Sequence, residues 1–262
     1  MKVAVLGGGK IGEAIANGVA RSPRVTRVFV TRRSSSPSLA SKGKRRTTSD
    51  NLRVCKEADV VVIAVKAADA RHLLSEIAPV VRGRLVISVM AAISLSKLHS
   101  ALPGARLVRA MPNVAASVGK AITAFSPGPG IRASDRKTVE HLLGTFGEYI
   151  AVPEELMDAV TALSGSGPAY IAILIDAMVS GALKVGLPRD IAFQLVTKTL
   201  TGTADLLREK GVHPAELRDL VTTPAGTTIA GIYELEKGAF RTSIMNAIEA
   251  ATHAASRVAE KV

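Results

Sequence analysis

The chain has 262 residues, 47% hydrophobic and 21% charged, enough to bury a sizeable core in one large domain or two modest ones. A single cysteine, Cys55, excludes an intrachain disulfide framework and a thiolate-rich metal site, and the five scattered histidines show no metal-ligand spacing. The formal net charge of +12 raises the question of nucleic acid, but aromatics are 3% of the chain, tryptophan is missing, and no helix-turn-helix or zinc-finger spacing occurs.

The N-terminal MKVAVLGGGK has no extended apolar leader, and the longest uncharged run, Ala159 to Ile175, is interrupted by Gly165-Ser166-Gly167-Pro168. A soluble cytoplasmic protein with neither membrane nor nucleic-acid partner is therefore expected. Lys2 to Leu6 is a short β-branched run of the kind that forms a buried parallel strand. It breaks into Gly7-Gly8-Gly9-Lys10-Ile11-Gly12, which fits G-x-G-x-x-G, and then into a helical pattern from Ile11 to about Ala20. Val25 to Thr31 reads as the second strand. Strand, glycine turn, helix and strand in this order are the setting in which the motif binds a dinucleotide. Gly7 permits the tight turn, Gly9 admits a pyrophosphate to the backbone, and Gly12 lets the helix pack on the strand. The helix start then offers free N–H groups and a positive dipole end.

The excess charge is local. Between Arg21 and Lys56 there are eleven Lys or Arg and one acid, Asp50, a balance of +10. The second strand ends in Thr31-Arg32-Arg33-Ser34, where an NAD site usually carries an Asp or Glu for the ribose hydroxyl. Arginine presents a fork of donors to a 2′-phosphate, so NADP(H) is the expected cofactor, with NAD(H) second.

Ala58 to Val65 is the next strand, ending at Lys66, and Ala68 to Ile77 is a helix. Leu85 to Val89, Arg106 to Met111, Ala121 to Phe125 and Glu148 to Val152 are further strands. Helices are expected at Ser94 to His99 and at Ser134 to Phe146, the second capped by Ser134. Residues 1–153 thus form a doubly wound, mostly parallel Rossmann-like domain that holds ligands at its C-terminal strand ends. Lys66 and the loops Met90 to Ala92 and Met111 to Asn113 stand at such ends. From 154 to 262 the pattern is helical only: Glu154–Leu163, Pro168–Val185, Pro188–Glu209, Pro214–Val221, Gly226–Glu236 and Phe240–Glu260. The helix from Pro168 is apolar nearly all round, so a shared subunit interface is expected to cover it. Two turns there, 163–168 and 221–228, offer small residues, hydroxyls and helix-start amides. Each fits either a plain helix entry or a carboxylate site.

Gly7-x-Gly9-x-x-Gly12, Ala64-Val65-Lys66, Arg109-x-Met111-Pro112-Asn113, Leu163-Ser-Gly-Ser-Gly-Pro-Ala-Tyr170 and Thr222-Thr-Pro-Ala-Gly-Thr-Thr228 follow one another in this order. Together they resemble the pyrroline-5-carboxylate reductases, essentially end to end, and Pro214 to Glu236 resembles that family's signature. The resemblance implies reduction of the ring imine of pyrroline-5-carboxylate to proline, the last step of proline biosynthesis. It also implies a helical dimerisation domain, a homodimer or larger assembly, and a cofactor that is NADPH or NADH. By resemblance, Leu6, Gly7, Gly8, Gly9, Lys10, Ile11 and Gly12 lie along the pyrophosphate. Thr31, Arg32, Arg33 and Asn51 lie by the adenosine ribose or its phosphate. Ala64, Val65 and Lys66, with Met90, Ala91 and Ala92, flank the nicotinamide. Thr223, Gly226, Thr227 and Thr228 hold the substrate, with Thr228 the catalytic contact to the ring nitrogen. No metal is implied.

Three positions depart from the family pattern. Ala67 stands where Pro is usual, Met90-Ala91-Ala92 replaces an Ala-Ala-Gly loop, and Thr223-Pro224-Ala225-Gly226 replaces Ser-Pro-Gly-Gly. The alternatives are a β-hydroxyacid dehydrogenase, a related imine reductase, and a non-catalytic NADP(H)-sensing protein. The first needs a lysine four residues after a glycine in its long helix, and the residue four after Gly167 is Ile171.

Overall fold

A computed structural model describes residues 1–33 and 43–261. Eight strands form one sheet: β1 (Lys2–Leu6), β2 (Arg27–Thr31), β3 (Arg45–Thr48), β4 (Val60–Ile63), β5 (Leu85–Ser88), β6 (Arg106–Pro112), β7 (Ala121–Pro127) and β8 (Gly147–Ala151). Their spatial order is β3-β2-β1-β4-β5-β6-β7-β8, and every neighbouring pair is parallel except β6 with β7. The expected doubly wound domain is present.

The apolar runs follow from helices on both faces of the sheet. Val3 and Val5 of β1 point to one side, with Val28, Val30, Val60 and Val62. They meet Ile15 and Val19 of α1 (Lys10–Arg21) and Val139 and Leu142 of α5 (Ala133–Leu143). Ala4 and Leu6 point to the other side, against Leu73 and Ile77 of α3 (Ala67–Ile77) and Leu98 of α4 (Leu95–Ala101). A period of two thus sorts each strand between two cores.

Four local expectations are corrected. Strand β3 and helix α2 (Asn51–Glu57) were not foreseen, because Arg45-Arg46-Thr47-Thr48 is a polar edge strand and seven residues are too few to show a helical period. Strand β2 begins at Arg27, not Val25. Helix α5 starts after Arg132, whose amide donates to the Asp135 carboxylate at 3.2 Å, so Ser134 is not its cap, and the helix ends at Leu143. The segment expected as one helix from Glu154 to Leu163 is a 3₁₀ turn Glu154–Leu156, a short α6 (Met157–Val160) and a π turn Thr161–Gly165 closed by Ser166 N–H to Thr161 O at 2.9 Å. The glycines do not interrupt the run. Glu154–Lys184 forms 31 residues of helix long and apolar enough, by length and composition alone, to cross a membrane.

Helices α7 (Gly167–Lys184), α8 (Arg189–Lys210), α9 (Pro214–Leu220), α10 (Thr227–Lys237) and α11 (Phe240–Lys261) follow. The chain packs as two compact units, Met1–Pro168 with Glu249–Val262, and Ala169–Ile248. The division in packing therefore differs from the change of residue pattern at Pro153. Ion pairs tie the 154–158 segment to the sheet: Arg109, buried on β6, lies 3.4 Å from both Glu154 and Asp158. Ser256 of α11 donates to Asp158 at 2.9 Å. The second unit has a small core of Val179, Ala192 and Val196. Among the described residues, α7 buries only Val179, and Ile173 is 70% exposed.

Candidate functional site

The turn from β1 into α1 has requirements that only glycine meets at two places. Gly7 has φ +103°, and a Cβ there would lie 2.7 Å from the Ala64 carbonyl. A Cβ on Gly12 would lie 1.9 Å from the Gly7 carbonyl, so this glycine lets the helix close on the turn. Gly9 differs. It caps α1 in extended conformation (φ −78°, ψ −172°), no side chain among the described residues satisfies the first-turn amides, and a Cβ there would meet no described atom within 4 Å. Those unpaired N–H groups and the positive helix end face open space suited to an anion. Gly8 N–H donates to Thr31 O at 2.8 Å, and Gly7 N–H donates to the Thr31 hydroxyl at 3.3 Å, which fixes the turn to the end of β2.

A cleft of about 750 Å³ opens over this turn within the first unit. Of the residues expected at the cofactor, Gly7, Gly8, Gly9, Thr31, Arg32, Arg33, Asn51, Ala64, Val65 and Lys66 line it. Leu6 is buried beneath the turn, and Lys10, Ile11 and Gly12 form the first helical turn. Met90 and Ala92 are buried and Ala91 is exposed on the loop after β5, and this segment does not line the cleft. Ser49, Asp69, His72, Leu73 and Glu76 line it and were not foreseen. Asp69, His72 and Glu76 have spacing i, i+3, i+7, one face of α3, so the helical period held that signal.

The electrostatics at the end of β2 are paired. Arg32 Nη2 lies 2.7 Å from Glu13 Oε1, and Arg45 Nη2 lies 2.6 Å from Glu13 Oε2. Burial alone would raise the Glu13 pKa, but hydrogen bonds and charge from both arginines outweigh it and hold the carboxyl below its ordinary value. Arg33 pairs with Asp69, and Asn51 Nδ2 donates to Glu76 at 2.9 Å. Burial pushes the Cys55 thiol up to about 12, so it is an inert core residue. The open cradle at Gly9, together with two arginines on the residues that follow β2, fits a phosphorylated dinucleotide, although Glu13 and Asp69 already pair with those arginines.

In the second unit, the turn before α10 repeats the device. Gly226 caps α10 with φ −78° and ψ 170°, almost the backbone of Gly9, and again no side chain among the described residues caps the helix. A Cβ on Gly226 would lie 2.3 Å from the Thr223 hydroxyl. Thr228 is half-buried, while Thr223 and Thr227 are exposed. The free amides of this first turn suit a carboxylate.

The model of a family described as pyrroline-5-carboxylate reductase dimerisation matches residues 154–258, and one described as NADP oxidoreductase coenzyme F420-dependent matches residues 2–92. The chain is 38% identical over 266 residues to a pyrroline-5-carboxylate reductase of Methanosarcina acetivorans, covering 99% of this chain and 98% of that one. The chain belongs to the pyrroline-5-carboxylate reductase family. A reductase of this family from Arabidopsis thaliana is 39% identical over 256 residues, 95% of this chain and 92% of its own. Among solved structures, the Plasmodium falciparum pyrroline carboxylate reductase with NADP bound superposes with a TM-score of 0.91 at 28% identity, covering 99% and 98% of the two chains. The Coxiella burnetii pyrroline-5-carboxylate reductase gives 0.89 at 30% identity, covering 98% and 97%.

The three departures from the family pattern have local explanations. Ala92 (φ +65°) and Ala225 (φ +55°) occupy left-handed backbone where the pattern has glycine. Ala67 is the first residue of α3, preceded by extended Lys66 (φ −70°, ψ 151°), a position that also suits proline.

Proposed function

We propose that the chain reduces L-pyrroline-5-carboxylate to L-proline with NADPH as preferred donor and NADH as second, the last step of proline biosynthesis. The observation that carries this reading is the end-to-end relation to pyrroline-5-carboxylate reductases at 38% identity. The bound nicotinamide cofactor supplies the hydride. The amides at the start of α1 bind its pyrophosphate, Arg32 and Arg33 take the 2′-phosphate, and Asn51 takes the adjoining ribose. Ala64 to Lys66, which line the cleft, flank the nicotinamide end.

On the substrate side, the amides of Thr227 and Thr228 hold the carboxylate, with Thr223 and Gly226 shaping the turn. The Thr228 hydroxyl bonds the ring nitrogen and orients it. The imine carbon gains the hydride and the nitrogen keeps a proton, giving a secondary amine. A protonated imine is already electron-poor, so the residues need to orient it and exclude water rather than supply a strong acid. The helical region 154–258 forms the homo-oligomer interface. Support comes from the match to a dimerisation family and from the apolar side chains that α7 and α8 leave exposed, Ile173 and Phe193 among them.

The test is to incubate the protein with racemic pyrroline-5-carboxylate, follow NADPH absorbance, and assay proline. Consumption of about half the imine with matching L-proline is expected. A folded protein that forms no proline overturns the assignment.

A further inference from the structure

Glu13 has no part in the scheme above, yet it touches the arginine on which cofactor choice depends. We infer that Glu13 sets how strongly the cleft discriminates NADPH from NADH, acting as a fixed counter-charge with which a 2′-phosphate must compete for Arg32. The inference rests on the assignment of Arg32 to that phosphate.

Three observations support it. Arg32 is folded back over the glycine turn, so that a Cβ on Gly8 would lie 2.7 Å from its Cγ and Nε, and its Nη2 is held 2.7 Å from Glu13 Oε1. Glu13 cannot follow Arg32 toward a ligand, because its second oxygen is gripped by Arg45 at 2.6 Å. Arg45 is itself bound to Asn17, one turn further along α1. Glu13 also stays ionised at neutral pH, since the two arginines hold its carboxyl below the ordinary 4.5 against the effect of burial. A dianionic phosphate drawn to Arg32 therefore meets a carboxylate that does not move away. The uncharged 2′-hydroxyl of NADH meets no such repulsion. The neighbouring Arg33–Asp69 pair is a weaker brake, because Arg33 is 79% exposed and its charge is screened by solvent.

The measurement is calorimetric titration of the full chain with adenosine 2′,5′-bisphosphate and with adenosine 5′-monophosphate at one ionic strength. The unsubstituted protein should prefer the bisphosphate; if it does not, the assignment of Arg32 fails. Glu13→Gln keeps the size and removes the charge. It should tighten the bisphosphate by about three- to tenfold and move the monophosphate by less than about twofold. Arg45→Gln leaves the whole carboxylate charge on Arg32 and should weaken the bisphosphate. With the wild-type preference intact, a bisphosphate affinity that Glu13→Gln leaves unchanged or weakens overturns the inference alone. So does an Arg45→Gln protein that binds the bisphosphate as well as or better than the original. Thermal melts of both variants show that they are folded.

Discussion

Single side chains at the two helix starts carry separable parts of the work. Removing the Arg32 guanidinium deletes a charge-assisted contact, so Arg32→Ala should cost about 1.5–3 kcal/mol in kcat/KM with NADPH and little with NADH. Equal losses with both cofactors would place Arg32 outside the 2′-phosphate site. Thr228→Ala removes one hydrogen bond to the ring nitrogen and should lower kcat, or raise the substrate KM, by about tenfold. Unchanged kinetics would end that role. At this scale the sequence was informative wherever backbone geometry forces a residue type. Gly7 and Gly12 were readable because no other side chain fits against the Ala64 and Gly7 carbonyls. The pairing of Arg32 and Arg45 on Glu13 was not readable, because Arg45 lies on a strand that its own polar sequence conceals.

Among the elements, the buried strands announced themselves as apolar runs because both sheet faces are covered. β3 and α2 lack that signature, although Asp50, whose carboxylate accepts the Arg53 amide at 2.8 Å, is an N-cap residue in plain view. The glycines of residues 165–168 suggested a break, yet Gly165 ends a π turn and Gly167 begins α7, so the helical path continues. Helix α3 and the loop after β5 give a test of the departures from the family pattern. Ala67→Pro places proline at a first helical position with a compatible preceding residue, and Ala92→Gly relieves a left-handed alanine. Each should stabilise the fold by about 0.5–1 kcal/mol, read as a higher denaturation midpoint. A lower midpoint for both would mean that these backbones are not as described.

For the whole molecule, a sheet unit with two well-filled cores contrasts with a helical unit that buries little of itself. The sequence showed this before the structure, since a helix apolar nearly all round needs more cover than about a hundred residues provide. It did not show where the packing divides, because the tie between Arg109 and Glu154 and Asp158 depends on side chains 45 and 49 residues apart. If a partner copy covers α7, Ile173→Asp should shift the protein to smaller species in analytical ultracentrifugation and lower its melting temperature. An unshifted, fully stable assembly would mean that this face lies outside the interface.

The reading depends most on α1 beginning as an open cradle for phosphates, and Gly9→Ala tests that directly. Alanine accepts φ −78°, and its methyl would touch no protein atom within 4 Å, so the fold should keep its melting temperature to within a few degrees. The same methyl would stand where the pyrophosphate approaches, so calorimetric affinity for NADP⁺ should fall by about tenfold or more. A Gly9→Ala protein that binds NADP⁺ as tightly as the original would contradict the account.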